Sequence, residues 1–214
     1  MENFPQTFFV GGTVRDMLLK RNILDIDVAT SARPDEIVSL LEKNQIVCDD
    51  KNKNFGNIIA KQKNLSVEIT TLRQDLKSEG RYPKVKFINS IKADSKRRDF
   101  TINALYLSQK TGKISDFYKG RQDLKNKVIK FIGNPTTRIK QDPLRIVRAL
   151  RLALILNFKL NRAAYLAIKN NFAAVHLLTN SRTAAEIKKI KNFRQREYLE
   201  ATLNNKKLLD KYFK

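Results

Sequence analysis

Two carboxylates, Asp25 and Asp27, stand one residue apart in the run Asp25-Ile26-Asp27-Val28-Ala29. In an extended strand, residues two apart share a face, so both can address one point in space. Side by side they repel unless cations separate them, and hard oxygen ligands of this kind suit magnesium. Two such ions can activate an attacking hydroxyl while stabilising a departing pyrophosphate. Upstream lies Gly11-Gly12-Thr13-Val14-Arg15-Asp16. Paired glycines ahead of a helix leave backbone amides and the helix N-terminus bare for phosphate. Each feature alone has a plain reading, a tight turn or a solvated acidic pair. Gly-Gly, Arg15 and Asp-x-Asp within one short stretch favour a phosphate-and-metal site over both.

The elements that must position these groups are legible from periodicity. Residues 8–10 read as a short strand entering the Gly11-Gly12 turn, and residues 14–19 as the helix that follows. Residues 25–29 alternate as a strand, and residues 34–43 read as a helix with Pro34 near its start. Residues 57–61 and 65–71, with a polar turn between them, predict a hairpin. Beyond Pro135 the strand signals fade, and residues 142–156, 162–170 and 182–191 predict successive helices. The fold class is therefore α+β, an α/β head over residues 1–137 followed by a helical, basic region over residues 138–214.

Charge narrows the partner. Lys plus Arg total 43 against 21 acidic residues, a formal net charge of +22. From Arg138 onward there are 18 basic and 5 acidic residues, a net +13. Phosphates neutralised by Lys and Arg release counterions, so a polyanion partner is expected, although a lysine-rich proteome gives the same composition. An anionic membrane surface is disfavoured, because no basic amphipathic segment stands apart from the globular pattern. No apolar run approaches the ~20 residues needed to cross a bilayer, and the N-terminus lacks the order of a secretory signal. Cys48 is alone, which points to a reducing, cytoplasmic setting. Apolar residues make up 42%, enough for a packed core.

Several ordered motifs then resemble one family. Gly11-Gly12-x-Val14-Arg15-Asp16-x-Leu18-Leu19, with Asp25-x-Asp27 and Thr30, resembles the signature of the class II tRNA nucleotidyltransferases and bacterial poly(A) polymerases. Phe55-Gly56 and Glu68-Ile69-Thr70-Thr71-x-Arg73 match its second sheet segment, and Glu79-Gly80-Arg81-x-Pro83 its flexible loop. Asp94-Ser95-x-Arg97-Arg98-Asp99-Phe100-Thr101-Ile102-Asn103-Ala104-Leu105 matches a further motif almost throughout. Asp116, Gly120, Asp123 and Leu124 follow the hinge motif, Asp142-Pro143-Leu144-Arg145 with Arg148 and Arg151 resembles the nucleotide-reading helix, and Glu186 falls on a late helical motif. The resemblance spans roughly residues 7 to 192.

What the resemblance implies is a polymerase-β-like nucleotidyltransferase head with a short helical neck. Asp25 and Asp27 would hold Mg2+, with Glu68 as a third catalytic carboxylate on a neighbouring strand. Gly11, Gly12 and Arg15 would hold the triphosphate. Arg98 and Asp99 would recognise the ribose, with Asn103 also among the nucleotide-binding residues. Asp142 and Arg145 would read the incoming base in place of a nucleic-acid template, since an Arg fork and a carboxylate can mimic a pairing partner for C or A. Arg148 and Arg151, each turned roughly 60° further round the helix, would wrap toward the triphosphate or the RNA. Plainer readings stand beside these. Arg97-Arg98-Asp99 also suits a surface ion-pair cluster, and Asp142-Pro143 a helix cap with a first-turn proline.

The expected activity is template-independent addition of nucleotides to RNA 3′ ends, foremost C and A at the 3′ end of tRNA from CTP and ATP. Retention of the Glu79–Pro83 loop disfavours a relative restricted to C. An A-adding enzyme and a poly(A) polymerase are the alternatives, and a non-catalytic basic RNA-binding protein is a rival from another class. A protein-modifying nucleotidyltransferase needs neither the +22 charge nor the Asp142 and Arg145 reader. No obligate protein partner is evident. Three departures stand out. Gln141 occupies a position usually held by Glu, Gly120-Arg121 replaces Gly-Gly, and the chain closes soon after the last motif, as in a short form lacking most of the body and tail. His176, beside Leu177 and Leu178, reads as a packed helix residue.

Overall fold

The first strand, β1 (Thr7–Val10), sends Phe8 and Val10 into the core and runs straight into the Gly11 turn. Helix α1 (Gly12–Leu18) follows, then β2 (Ile26–Thr30), α2 (Pro34–Lys43) and β3 (Val47–Asp49). The hairpin predicted from alternation is β4 (Asn57–Gln62) and β5 (Leu65–Thr71), paired antiparallel from Asn57 opposite Thr70 to Gln62 opposite Leu65. A small ribbon of β6 (Arg73–Asp75) and β7 (Val85–Phe87) precedes α3 (Ile91–Ser95), β8 (Leu105–Ser108) and β9 (Ile114–Asp116). The computed structural model describes residues 5–23, 25–63, 65–76 and 84–213. The loop from Glu79 to Pro83 lies outside the described residues.

Backbone contacts gather the chain into two units, residues 1–98 with 103–120, and residues 99–102 with 121–214. The first is the head. Its seven-stranded sheet has the order β3-β4-β5-β2-β1-β8-β9, with β2 and β5 parallel and every other pairing antiparallel. Phe8, Val10, Ala29, Leu72 and Tyr106 form one buried cluster, backed by Ile88 and Ile91. Ile37 and Leu41 of α2 pack with Ile58 and Ala60 of β4 in another. Fully burying such side chains contributes about 1.5–3 kcal/mol each. Helix α2 begins where the sequence predicts, with Pro34 in its first turn and the Glu36 carboxylate accepting from the Arg33 amide at 2.6 Å.

Helix α4 (Gly120–Lys125) starts the approach to the second unit, which holds β10 (Val128–Ile129), α5 (Pro135–Gln141), α6 (Leu144–Leu156), β11 (Lys159–Leu160), α7 (Arg162–Asn170), α8 (Asn180–Lys188), α9 (Phe193–Asn204) and α10 (Lys207–Tyr212). The division falls after Gly120, earlier than the 137/138 boundary read from the sequence. Residues 121–137 join the helical unit because β10 pairs in parallel with β11, and because Phe100 and Phe131 form a bridge with rings 4.9 Å apart. Helix α6 is the spine. Ile146, Val147, Ala149, Leu150, Leu152, Ala153 and Leu156 are buried, while Arg145, Arg148 and Arg151 recur every three residues along another face. Asn157, in the left-handed conformation, ends it. His176 does not pack as predicted; it is exposed on a 3-10 segment, Phe172–Leu177. Among the described residues no helix is long and apolar enough to cross a membrane.

Candidate active site

In the head, the acidic pair is fixed by its own turn. Thr13, buried at the start of α1, donates its hydroxyl to the Asp25 carbonyl at 3.2 Å and accepts from the Asp27 amide at 2.7 Å. The backbone carrying Asp-x-Asp is thereby tied to the helix that follows Gly-Gly. The Gly12 amide donates to Asp27 Oδ2 at 3.0 Å. Gly11 sits at φ +67, and a Cβ there would meet Asp27 Oδ2 at 2.8 Å, so both backbone sign and space demand glycine. Asp25 lies at the exposed edge before β2, and Asp27 is half-buried.

Glu68 on β5 is the register partner of Asp27, and it accepts a short hydrogen bond from the Asn57 side-chain amide. The Asp27 carboxyl is pushed above its ordinary value, first by burial and then by Glu68, with Asp25 adding to the effect. The Gly12 amide and Arg98 oppose this without cancelling it. Such a carboxylate gains from a cation. Among the described residues no three His, Cys, Asp or Glu side chains converge into a closed metal cage.

Arg15 is locked. Its Nε and Nη2 donate to Asp16 at 2.9 and 2.7 Å, and its Nη1 donates to Asn103 Oδ1 at 3.0 Å. Arg15 and Asn103, read separately from the sequence, are thus brought together, with Asp16 as a clamp that sequence reasoning left without a role. The Arg15 Nη2 lies 3.5 Å from where a Gly12 Cβ would stand, so the guanidinium borders the glycine turn. Arg98 borders it too, its Nη1 being 3.6 Å from a Cβ at Gly11.

Arg98 and Asp99, adjacent in sequence, belong to different units. Asp99 is buried in the helical unit, where its Oδ1 accepts from the Phe100 amide at 2.7 Å and its Oδ2 meets Arg148 Nη2 at 2.9 Å. Glu186 of α8, also buried, binds Arg151 Nε at 2.8 Å and Lys189 at 3.0 Å, with Arg148 Nε at 4.0 Å. Burial opposes its ionisation, yet Arg151, Lys189 and Arg148 together hold it below the usual value. Arg148 and Arg151 are therefore engaged by Asp99 and Glu186.

The candidate base reader has defined free edges. Asp142 Oδ1 accepts from the Leu144 amide at 3.2 Å and from Arg182 Nη2 at 3.0 Å. Pro143, not Asp142, stands at the N-cap of α6, so Asp142 tethers the first turn from one residue outside it and shares that oxygen with an ion pair from α8. Arg145 Nη1 donates to the Arg138 carbonyl at 2.6 Å and to Gln141 Oε1 at 3.3 Å. Gln141 Oε1 also accepts from Arg138 Nη1 at 2.8 Å. The residue that departs from the family's Glu thus still orients Arg145. Burial first, then Arg138, lower Arg145 to about 10. Among the described residues no hydrogen bond occupies Asp142 Oδ2, nor Nε or Nη2 of Arg145. Arg182 escaped the sequence reading because 40 residues separate it from Asp142.

Known proteins resemble this chain over most of its length. The profile of the "Poly A polymerase head domain" matches residues 7–130. A CCA-adding enzyme of Bacillus pumilus is 42% identical over 191 residues, 88% of this chain and 45% of its own length. One from Staphylococcus saprophyticus is 36% identical over 204 residues, 94% of this chain and 49% of its own. The chain spans about half the length of the curated relatives it matches. Among solved structures, the Bacillus stearothermophilus CCA-adding enzyme in complex with CTP superposes with a TM-score of 0.76 at 32% identity, covering 86% of this chain and 44% of that one. A tRNA nucleotidyltransferase complexed with a primer tRNA and an incoming ATP analog gives 0.75 at 32%, covering 95% and 58%. With the head profile matching more than half of its residues, the chain belongs to the poly A polymerase head domain family and carries that family's nucleotidyltransferase head.

Proposed function

We propose that this chain adds nucleotides to the 3′ end of RNA without a template, and that it builds the CCA end of tRNA from CTP and ATP. The observation that carries the reading is the pair of unspent edges on Asp142 and Arg145. Cytosine and adenine each place an exocyclic amino donor beside a ring-nitrogen acceptor, whereas uracil and guanine place an oxygen beside an N–H. One carboxylate acceptor next to guanidinium donors fits the first pair and mismatches the second. The same side chains can therefore serve both nucleotides of a CCA end.

The chemistry belongs to the head. A divalent cation, which we propose to be magnesium, would be held by Asp25 and Asp27 and would neutralise charge as the RNA 3′-hydroxyl attacks the α-phosphate and pyrophosphate departs. Gly11 and Gly12 leave room for the triphosphate, and Glu68 adds negative charge to the metal side. Arg15 and Arg98 border that turn, which puts Arg98 on the phosphate side in place of the ribose role the resemblance implied. The net +22 supports an RNA substrate, the relatives named for CCA addition support tRNA, and the lone Cys48 supports a cytosolic setting. The test is Asp25→Ala and Asp27→Ala. Both are expected to lose nucleotide addition by several orders of magnitude while RNA affinity stays within a factor of about two, because phosphate contacts come from the basic surface. Turnover near the wild-type rate in either variant removes the metal assignment.

A further inference from the structure

We infer that Tyr106 is a positioning residue which, together with Asp94, aims Arg98 at the phosphates of the incoming nucleotide. The inference rests on the function proposed above and names a residue that no motif or spacing singles out.

Tyr106 lies on β8 with no exposure, packed edge-on against Phe8 in the head core. A phenylalanine would fill that volume, so the hydroxyl needs its own explanation. Its oxygen donates to Asp94 Oδ2 at 2.6 Å and accepts from Arg98 Nε at 2.8 Å. Asp94, equally buried, spends its other oxygen on the Arg73 backbone amide at 2.9 Å and on Arg97 Nε at 2.8 Å. Burial works against its ionisation, but Arg97, Arg98 and the Tyr106 hydroxyl hold Asp94 below its ordinary value, so the anion persists. Burial and the same anion push the Tyr106 hydroxyl up, so it stays a phenol with one proton to give. That proton goes to Asp94, which leaves a lone pair for Arg98 and fixes the direction of the chain of bonds.

The guanidinium of Arg98 is thus gripped from behind. Its Cζ stands 5.1 Å over the Tyr106 ring, its Nε is held by the hydroxyl, and Asp94 Oδ2 is 3.5 Å away. With that edge fixed, Nη1 is turned to the Gly11 turn beside Asp27. A buried Tyr–Asp pair costs solvation that an apolar pair would avoid. The gain is a cation held at a set angle next to the phosphate-binding glycines. Pre-oriented donors of this kind act on developing charge without reorganising.

Equilibrium binding of CTP with magnesium, measured without RNA, tests this for the wild type, Tyr106→Phe, Arg98→Ala and the double variant. Removing a hydrogen bond to a charged group is worth roughly tenfold. Tyr106→Phe is expected to weaken CTP binding by about that factor with RNA affinity unchanged, and to add nothing further in the Arg98→Ala background. Asp94→Asn serves as a second route, with the same loss and the same silence beside Arg98→Ala, should Tyr106→Phe melt too early to assay. Equal, additive losses in both backgrounds, or CTP affinity unchanged in Tyr106→Phe, overturn the inference. A wild-type protein that binds CTP but adds no nucleotide to any RNA end overturns the proposed function and leaves the Arg98 coupling standing on its own measurement. No CTP binding at all overturns both.

Discussion

Asp27 and Glu68 face one another in register across the one parallel pairing of the main sheet, β2 with β5. Residues opposite each other in a ladder present side chains to the same face, so this register brings the two carboxylates together. Their mutual repulsion, added to burial, raises the Asp27 carboxyl above its ordinary value. The head is built around a charge conflict that a cation relieves.

That conflict has a sign that can be measured. A carboxyl with a raised pKa in the fold stabilises the fold only while protonated, so its contribution is lost as pH climbs through the folded value. Metal-free protein is therefore expected to lose stability from Asp27 as pH rises above about 4, the ordinary carboxylate range. Asp27→Asn keeps an acceptor for the Gly12 amide and removes the charge. Its melting temperature without divalent ions at neutral pH should exceed that of the wild type. Adding magnesium should raise the wild type and leave the variant unmoved. A magnesium-induced shift of equal size in both proteins contradicts the assignment.

Base choice is expected to depend on three side chains of the helical unit. Asp142→Ala and Arg145→Ala each remove one edge of the reader, and a bidentate contact is worth about 1–3 kcal/mol of discrimination. Selectivity for CTP and ATP over UTP and GTP should fall by roughly tenfold or more in either variant. Arg182→Ala leaves the reading atoms present but releases Asp142 Oδ1 from its 3.0 Å ion pair, so a smaller loss of selectivity is expected. Single-nucleotide incorporation with each triphosphate measures all three. Unchanged selectivity accompanied by a lower melting temperature would mean that Asp142 only tethers the start of α6.

Glu186 is expected to act on stability. It is buried, and its partner Arg151 is nearly so. Glu186→Ala leaves that guanidinium without its carboxylate, at a cost of roughly 3 kcal/mol. Because the fold lowers the Glu186 carboxyl, the stability it adds is present above the ordinary value of 4.5 and lost as pH falls through the folded one. Urea denaturation at neutral pH should show the full gap between wild type and variant, and the gap should narrow as the pH is taken below 4.5.

Much of the fold is written in local pattern. Helix α2 occupies residues 34–43 as its apolar spacing and Pro34 predict, and the β4–β5 hairpin follows from alternation around Ile58 and Ala60. Helix α7 likewise fills residues 162–170, with Asn161 capping it through the Ala164 amide. Helix α8 begins two residues before the predicted start, at Asn180, because polar Asn180 and Ser181 give no periodic signal. The candidate site was legible where residues close in sequence meet, as where the Gly12 amide donates to Asp27. It was not legible where the partner arrives from afar. Asp94 and Tyr106 are 12 residues apart, Arg15 and Asn103 are 88 apart, and Glu186 reaches Arg151 across 35. Adjacent residues can also belong to different units, since the chain passes from one to the other between Arg98 and Asp99.

The most direct measurement offers CTP and ATP separately, with magnesium, to tRNAs that end before CCA, after C and after CC. Incorporation of C alone is expected on the first two ends and of A alone on the third, by a protein whose Asp25→Ala and Asp27→Ala variants add nothing. Addition of A to every end, extension into a long A tract, or no addition to any of them contradicts the account.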